Sequence, residues 1–300
     1  MQEKNKVEIA FVILQFGAYY ATKKCIESIY KNVEKDFAII VVDNCSPDNS
    51  LLLLRQDYSL QKEIIIIESE KNLGFSSGNN LGYQYAKQHM SPQFIVLMNN
   101  DTELLFDSFL NEVKREYGLS KFAVMGPMIL SGDGKYISSP SRTNIWREDE
   151  VRKCIQIESF FLKLEKLNMG FLYDRYMEIK QRKKKKRILA QALYIQRQEN
   201  VELHGSFMIF SRKYIDLFDG LDARTFLYCE EPLLYLRLKK YNLKSVYNPR
   251  IVIYHAEDAS TDCAHKRGKQ KKIFYFETHI NSCKSFLDAM HDYLGLIGEK

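Results

Sequence analysis

Short apolar runs alternate with amphipathic stretches over the first third of the chain. Four runs are of strand length and almost entirely apolar, at Glu8–Leu14, Phe37–Val42, Ile64–Ile67 and Phe94–Met98. Continuous apolar strands are typical of a parallel sheet that is covered on both faces. Strand–helix alternation at this spacing favours right-handed crossovers. The pattern therefore predicts an α/β fold with a mostly parallel, Rossmann-like sheet flanked by helices.

Polar segments follow three of these strands. The second strand ends at Asp43, the third leads into the segment 72–82, and the fourth runs into Asn99-Asn100-Asp101. The carboxyl ends of parallel strands meet at one edge of a sheet, where open α/β sheets bind ligands. Three polar segments at one edge indicate a nucleotide-type binding site. We expect the segment 72–82 to be a loop, followed by a helix that ends near His89.

Asp101 allows two interpretations from the local sequence. Its carboxylate, flanked by two amides, offers the oxygen ligands that a hard divalent cation holding a diphosphate prefers. The same residues are typical of an Asx-rich turn in which Asp101 caps a helix beginning near Leu105. The neighbouring residues do not show whether Asp101 is a metal ligand or a helix cap.

The second half of the chain has a mixed pattern. Between residues 146 and 200 it is helical without a strand signal, and strand character returns at Glu202–Phe210 and Val246–Tyr254. A final amphipathic helix is predicted from Lys269 to Tyr293.

Glu230 and Glu231 precede Pro232 at the start of another predicted helix. Proline suits the first turn of a helix, and acidic side chains stabilise its positive N-terminal end. The two glutamates therefore fit helix-start caps. Adjacent side chains at a helix start point in different directions, so we expect only one of them to face a cleft.

Charge is concentrated locally. The formal net charge is +6, and much of the positive charge lies in Lys180–Arg187. Such a run is typical of a solvent-exposed face, or of a surface that binds an anionic membrane or a nucleic acid. The run contains no base-stacking aromatic residue, so we expect no nucleic-acid partner.

The six cysteines show no paired spacing for zinc or a redox motif. A chain of this length does not need disulfides, which favours reduced thiols in the cytoplasm. The apolar run Ile9–Leu14 is too short for a signal peptide, and no stretch reaches the length of a spanning helix. We expect a cytoplasmic protein that is soluble or peripheral to a membrane.

Six motifs occur in a set order along the chain. They are Val41-Val42-Asp43-Asn44-Cys45-Ser46; Asn72-Leu73-Gly74-Phe75 with Gly78-Asn79-Asn80; Leu97-Met98-Asn99-Asn100-Asp101-Thr102; Gly205-Ser206; Phe226-Leu227-Tyr228-Cys229-Glu230-Glu231; and Arg237. In this order they resemble the family 2 glycosyltransferases of GT-A fold, notably the rhamnosyltransferase-like enzymes of bacterial surface polysaccharide synthesis. The resemblance runs from about Val7 to Ser260, interrupted at 146–200.

The resemblance implies a division of the chain. Residues 1–130 would form a nucleotide-sugar-binding half, and residues 131–262 an acceptor-binding half with a helical insertion at about 146–200. Residues 263–300 would form a C-terminal helical segment. The insertion would either cover the acceptor site or pair with another subunit in a homodimer.

The resemblance also implies a donor site for a UDP- or dTDP-linked sugar. Asp43 would hydrogen-bond the pyrimidine base, while Asp101 and His255 would hold Mg²⁺ or Mn²⁺ against the departing diphosphate. The implied donor-binding residues are Gln15, Phe16, Asp43, Asn72, Gly74, Gly78, Asn79, Asn99, Asn100, Gly205 and Ser206. Gln15-Phe16-Gly17 stands where relatives more often have Asn-Tyr-Asn.

Glu231 stands where the family usually has the aspartate that acts as general base in an inverting transfer. Leu233 replaces an acidic residue, and these two departures leave open whether Glu230 or Glu231 is the base. The implied acceptor is an oligosaccharide or lipid-linked acceptor at the inner face of a bacterial membrane.

Two alternatives to an active transferase follow from the same residues. One is a catalytically weakened homologue that acts as a partner or scaffold of an active enzyme. The other, a sugar nucleotidyltransferase, is disfavoured because the chain has no glycine-rich, lysine-bearing phosphate loop near its first strand.

Overall fold

The computed structural model of the chain describes residues 7–131, 136–137, 139–140, 142–188, 194–256 and 268–295. Its centre is a ten-stranded mixed sheet. The strands are β1 (Ile9–Gln15), β2 (Phe37–Asp43), β3 (Ile64–Glu68), β4 (Phe94–Asn99), β5 (Thr102–Leu104), β6 (Val124–Ser131), β7 (Tyr136–Ile137), β8 (Gln198–Glu199), β9 (Phe207–Ser211) and β10 (Ser245–His255).

The sheet follows the order β3-β2-β1-β4-β9-β6-β10-β5, with β7 beside β6 and β8 beside β10. Strands β3, β2, β1 and β4 are parallel, whereas β9 runs antiparallel to both of its neighbours, β4 and β6. Both predicted halves of the chain therefore contribute strands to one sheet.

The helices are α1 (Tyr19–Asn32), α2 (Ser50–Tyr58), α3 (Gly74–His89), α4 (Phe109–Ser120), α5 (Glu148–Lys166), α6 (Phe171–Ile188), α7 (Arg212–Ile215), α8 (Glu230–Lys240) and α9 (Lys269–Leu294). Among the described residues, no helix combines the length and the apolar character needed to cross a bilayer.

The strands are apolar throughout because helices cover both faces of the sheet. In β1, Phe11 and Ile13 pack with α1 and α4 side chains such as Ile26, while Ala10 and Val12 pack with α3 on the other face. The predicted sheet architecture is confirmed by this two-sided core.

A smaller apolar layer joins α8 to the helical insertion and the C-terminal helix. Leu233 and Leu236 of α8 pack against Val151 of α5 and against Phe286 and Met290 of α9. Leu233 is 1% exposed and belongs to this layer.

The structure corrects three sequence-based expectations. The segment 72–82 is not a loop, because α3 begins at Gly74. Residues 102–104 pair with β10 instead of starting a helix, and α4 begins only at Phe109, so Asp101 is not a helix cap. The stretch 146–200 includes the short strand β8, whose signal of two residues is too brief to detect in the sequence.

Candidate functional site

Backbone pairing brings the first site residues into one row at the carboxyl edge of the parallel strands. Gln15 lies opposite Asp43 in the β1–β2 pair, and Leu14 lies opposite Asn99 in the β1–β4 pair. Ser206 precedes β9, and its backbone oxygen accepts a hydrogen bond from the Asn99 amide at 2.9 Å. Residues from four strands therefore meet at the edge where the sequence predicted a site.

The Asp43 carboxylate is buried and held by hydrogen bonds. Gln15 Nε2 donates to Asp43 Oδ1 at 2.8 Å, and the Ser46 amide donates to Oδ2 at 3.0 Å. The Ser46 hydroxyl also donates to Asp43 and accepts from the Gly17 amide at 2.7 Å. Phe16, which follows Gln15, is half-buried. Within the described part of the chain, the buried Gln15 Oε1 has no hydrogen-bond donor, so a ligand N–H could satisfy it.

Hydrogen bonds at Asn72 and Gly74 connect the start of α3 to the end of β2. Asn44 Nδ2 donates to Asn72 Oδ1 at 3.1 Å, and the Gly74 amide donates to the same oxygen at 2.9 Å. Gly74 has a φ of +77°, and a Cβ at this position would lie 2.1 Å from the Phe226 oxygen. Only glycine fits there, and it lets the segment before α8 approach the start of α3.

Gly78, Asn79 and Asn100, which the sequence predicted to bind the sugar donor, pack against other parts of the protein. A Cβ on Gly78 would lie 2.7 Å from Leu14 Cδ1. Asn79 is 1% exposed and donates to the Phe75 oxygen at 3.0 Å, inside α3. Asn100 is equally buried and donates to Thr22 Oγ1 at 3.0 Å, on α1. Their direct contact with a donor stays a prediction.

Asp101 and His255 meet because β5 pairs with β10. His255 lies opposite Thr102 in this antiparallel register, and the Ala256 amide donates to the Asp101 backbone oxygen at 3.0 Å. His255 Nε2 lies 3.2 Å from Asp101 Oδ1, and both side chains are buried.

The donor atoms of this pair fit a divalent cation. Among the residues that the structure describes, the buried Asp101 Oδ1 makes no hydrogen bond, and the imidazole nitrogen nearest to it is His255 Nε2 at 3.2 Å. Buried polar atoms usually have partners, and one left without a partner calls for an explanation such as an ion. A carboxylate oxygen beside an imidazole nitrogen is a ligand set that Mn²⁺ or Mg²⁺ can use.

Glu231, in the first turn of α8, reaches the same edge through a backbone contact. The Gly205 amide donates to Glu231 Oε1 at 3.0 Å. Gly205 is flanked by His204 and Ser206, and the Ser206 hydroxyl lies 3.0 Å from His204 Nδ1. The centroid of the His204 ring is 5.8 Å from that of the His255 ring. Glu231 is thus connected through Gly205 and His204 to the Asp101–His255 pair.

Glu230 differs from Glu231 in its surroundings. Burial raises the pKa of Glu230 to about 8, and the neighbouring Glu231 carboxylate also raises it. Among the described residues, Glu230 Oε1 has no hydrogen-bond partner.

A cavity of about 510 Å³ opens beside the two glutamates. Its wall combines acidic, aromatic and sulfur-bearing side chains from α5, α8, α9 and the segment before β9. The residues that matter for the site are Arg142, Trp146, Glu202, His204, Tyr228, Glu230 and Glu231. This size suits a sugar unit or similar small group.

Sequence analysis missed several residues of this cavity. Trp146, Glu202 and His204 were not identified as site residues, although Trp146 is the one tryptophan of the chain, His204 directly precedes Gly205 and Glu202 lies three residues before it. Burial raises the pKa of Glu202 to about 7, and the Glu231 charge raises it further, against the effect of Arg142. Perturbed carboxyls in a cleft mark candidate functional sites.

The basic run Lys180–Arg187 lies in the last turns of α6. Its side chains are outside the described part of the structure, so the proposed contact with a membrane stays a prediction.

The family model described as "Glycosyl transferase family 2" matches residues 12–217. Among curated proteins, the low-salt glycan biosynthesis hexosyltransferase Agl10 of Haloferax volcanii is 26% identical over 115 residues, which are 38% of this chain and 36% of that protein. The chain therefore matches little more than a third of the length of this relative.

Two solved structures share the fold. A crystal structure of GalNAc-T7 with UDP, GalNAc and Mn²⁺ is similar over 84% of this chain and 44% of that one, with a TM-score of 0.55 and 12% identity. The S. aureus TarS 1-349 structure covers 96% of this chain and 72% of its own, with a TM-score of 0.52 and 11% identity. At such identities the likeness concerns the fold, and the predicted GT-A fold is confirmed.

Proposed function

The chain belongs to glycosyl transferase family 2, and on that premise we propose that it transfers a hexosyl or deoxyhexosyl unit from a nucleoside-diphosphate sugar to an acceptor hydroxyl, with inversion and with a divalent cation. The observation that carries this proposal is the convergence of Asp101, His255 and Glu231 on one sheet edge, beside a cavity of about 510 Å³. The hexosyltransferase that the chain resembles supports the choice of sugar.

The nucleotide would bind at the row formed by Gln15 and Asp43. Asp43 offers a carboxylate and Gln15 Oε1 a buried acceptor, which suit the N–H of a pyrimidine base. The presence of UDP in the GalNAc-T7 structure supports a UDP-linked donor, and a dTDP-linked donor offers the same base edge. Asn99 and Ser206 lie between this row and the glutamates.

Asp101 and His255 would hold Mg²⁺ or Mn²⁺, and the cation would neutralise charge on the departing diphosphate. The buried Asp101 Oδ1, which has no hydrogen-bond partner among the described residues, supports this assignment, as does the Mn²⁺ in the GalNAc-T7 structure. Asp101 is the one carboxylate in Asn99-Asn100-Asp101, so it supplies the negative charge that this segment can offer a cation.

Glu231 would act as general base. Its carboxylate accepts the proton of the acceptor hydroxyl while the hydroxyl oxygen forms a bond to the anomeric carbon and the bond from that carbon to the diphosphate oxygen breaks. Attack from the face opposite the diphosphate inverts the configuration at that carbon. Glu231 suits this role better than Glu230, because Glu231 is partly exposed and accepts a hydrogen bond from the Gly205 amide at the sheet edge, whereas Glu230 is buried.

The test measures nucleoside-diphosphate release and transfer with a panel of UDP- and dTDP-sugars, with and without Mn²⁺. We expect Glu231→Gln to lower kcat by about 100-fold or more, since general base catalysis contributes about that much. Asp101→Asn should abolish the stimulation by Mn²⁺. Glu70→Gln, an exposed change outside the site, is the matched control.

Two outcomes would contradict the mechanism. Full turnover in both Asp101→Asn and Glu231→Gln would show that Asp101 is not the metal ligand and that Glu231 is not the general base. Metal-dependent binding of UDP or dTDP by calorimetry, without turnover of any donor, would favour a weakened homologue that supports an active transferase. Leu233, buried in an apolar layer where relatives carry an acid, is the observation behind that alternative.

The acceptor would enter the cavity lined by Trp146, Glu202 and Tyr228. Val151 and Cys154 of α5 also line this cavity, which supports an insertion that covers the acceptor site. We propose a lipid-linked oligosaccharide acceptor, reached from the cytoplasmic face of the membrane.

The basic run Lys180–Arg187 would bind anionic headgroups at that membrane, each basic side chain contributing about 1 kcal/mol near the surface. Replacing the lysines and arginines of this run by glutamine should abolish co-sedimentation with anionic liposomes. Unchanged co-sedimentation would contradict the proposed membrane contact, whereas the proposed transfer reaction would still stand.

A further inference from the structure

Four side chains with nitrogen or sulfur donors meet in the wall of the acceptor cavity, away from Asp101 and His255. Cys154 comes from α5, His279 and Cys283 come from α9, and Cys229 directly precedes α8. Their sequence spacing showed no metal motif because they come from three separate elements. Only the packing of α5 against α9 brings them together.

The distances suit a single small metal ion. One donor atom from each of Cys154, His279 and Cys283 lies within 4.8 Å of the other two. Cys283 Sγ lies 3.9 Å from His279 Nδ1, 4.0 Å from His279 Nε2 and 3.9 Å from Cys229 Sγ. Two thiolates bound to a tetrahedral zinc ion, each at about 2.3 Å, lie about 3.8 Å apart.

The surroundings fix the histidine as they do in protein metal sites. Glu158, one turn after Cys154 in α5, lies 2.7 Å from His279 Nδ1. When that nitrogen donates to the carboxylate, Nε2 keeps its lone pair for a metal. The rings of Tyr228 and Tyr275 pack against the imidazole at 5.5 and 5.6 Å and limit its rotation.

We propose that Cys154, His279 and Cys283 bind one Zn²⁺ ion. Cys229 Sγ lies near Cys283 but outside this group of three, and it would become the fourth ligand by rotation of its side chain. Thiolate donors select zinc over the hard cations Mg²⁺ and Mn²⁺. The site therefore differs in chemistry from the pair Asp101–His255, which contains no thiolate.

The ion would join three elements at the acceptor cavity. Cys229 has a left-handed backbone (φ 67°) immediately before Glu230 and Glu231. A metal bond from Cys229 to ligands on α5 and α9 would hold that strained residue, and with it the start of α8. The site would thus position the catalytic glutamate without contacting the donor.

The test uses the full chain, purified with a reductant that does not bind metal. We expect one zinc per chain by elemental analysis. Titration of the metal-free protein with Co²⁺ should give thiolate-to-cobalt charge-transfer absorption and the intense visible bands of tetrahedral cobalt. Zn²⁺ should displace the cobalt and raise the melting temperature, because a ligand that binds only the folded state stabilises it.

Variants assign the ligands. Cys283→Ser and His279→Gln should lose the tetrahedral cobalt spectrum, and Cys229→Ser should retain a weaker one. Glu158→Gln should weaken zinc binding by about 10- to 100-fold, as expected of a residue that orients a ligand. Cys45→Ser, an exposed cysteine outside the cluster, should bind zinc as the unmodified chain does.

Three outcomes would overturn the proposal. They are an octahedral cobalt spectrum in the unmodified chain, zinc content unchanged in Cys283→Ser, and a Cys229–Cys283 disulfide in the freshly purified protein by mass spectrometry. Asp101→Asn should keep its zinc, so this test is independent of the proposed transfer reaction.

Discussion

The carboxylate of Glu231 has its position fixed by a backbone amide from another element. Gly205 donates that hydrogen bond at 3.0 Å, and a Cβ at Gly205 would lie 2.8 Å from Glu231 Oε1. The close approach explains why glycine is needed here, since any side chain would push the carboxylate away. The nearest atom belongs to the far end of a flexible side chain, so the fold itself would tolerate the change.

Gly205→Ala should therefore lower kcat with little effect on stability. A displacement of about 1 Å at a reacting group can cost about 100-fold in rate. Steady-state kinetics and thermal melting of the variant check this expectation. In a Glu231→Gln background the same change should lower the rate no further, and an additive loss would contradict the assigned contact.

Glu202 gives the stability of the protein a predictable pH dependence. Its pKa is raised by burial from 4.5 to about 7, so the folded protein holds a proton that the unfolded chain releases. The resulting stabilisation is complete below about pH 4.5 and is lost as the pH rises through about 7. Its size is roughly 3 kcal/mol from the shift in pKa.

Glu202→Gln should therefore flatten the fall in melting temperature between about pH 5 and 7. The glutamine is neutral over this window and similar in shape. Glu70→Gln, an exposed change, should keep the slope of the unmodified chain. Equal slopes in Glu202→Gln and the unmodified chain would contradict the assignment.

At the scale of elements, α3 shows what local sequence can and cannot predict. The helix was expected, but its start was placed after Gly82, because glycines and small polar residues are typical of loops. In the structure the glycines serve packing: a Cβ on Gly82 would lie 2.5 Å from Val12 Cγ1 and 2.9 Å from Val42 Cγ2. Close approach of α3 to β1 and β2 is a tertiary requirement that composition alone does not reveal.

Gly82→Ala should destabilise the protein by about 1–3 kcal/mol, since overpacking forces the helix and the sheet apart. Gly118→Ala in α4 is the matched control, because a Cβ at Gly118 meets nothing within 4 Å. That change should stabilise by about 0.5–1 kcal/mol through helix propensity. Denaturant unfolding of both variants checks the order, and a neutral Gly82→Ala would contradict it.

At the scale of the whole molecule, Arg237 connects α8 to the C-terminal helix and to the turn after α7. Its guanidinium donates to Tyr214 Oη and to the Gly220 oxygen, both at 2.8 Å, and to Tyr293 Oη at 3.1 Å. Asp222 lies 3.6 Å from it, and its side chain is 9% exposed. The sequence singled out Arg237 only as part of an ordered set of motifs, and the structure gives it this supporting role.

Arg237→Ala should destabilise the fold by about 1.5–3 kcal/mol, which is what hydrogen bonds to a charged group contribute. Asp222 keeps its closer pair with Arg224 at 3.0 Å, so its charge stays compensated. Arg55→Ala, which removes an exposed pair with Glu68, should change stability by less than about 1 kcal/mol. Chemical denaturation compares the two. Equal losses would show that the Arg237 network contributes no more than a surface ion pair.

The sequence by itself determined the sheet, the flanking helices and the polar edge, because burial on both faces requires continuous apolar strands and leaves their polar ends at one side. It also singled out Asp43, Asp101 and Glu231. Tertiary structure alone decided which groups meet: the β5–β10 register brings His255 to Asp101, and the Gly205 amide holds Glu231. It also assembled the cavity and the cysteine–histidine cluster from distant elements. Local patterns encode which side of an element is buried, whereas contacts between elements depend on how complete helices and strands pack.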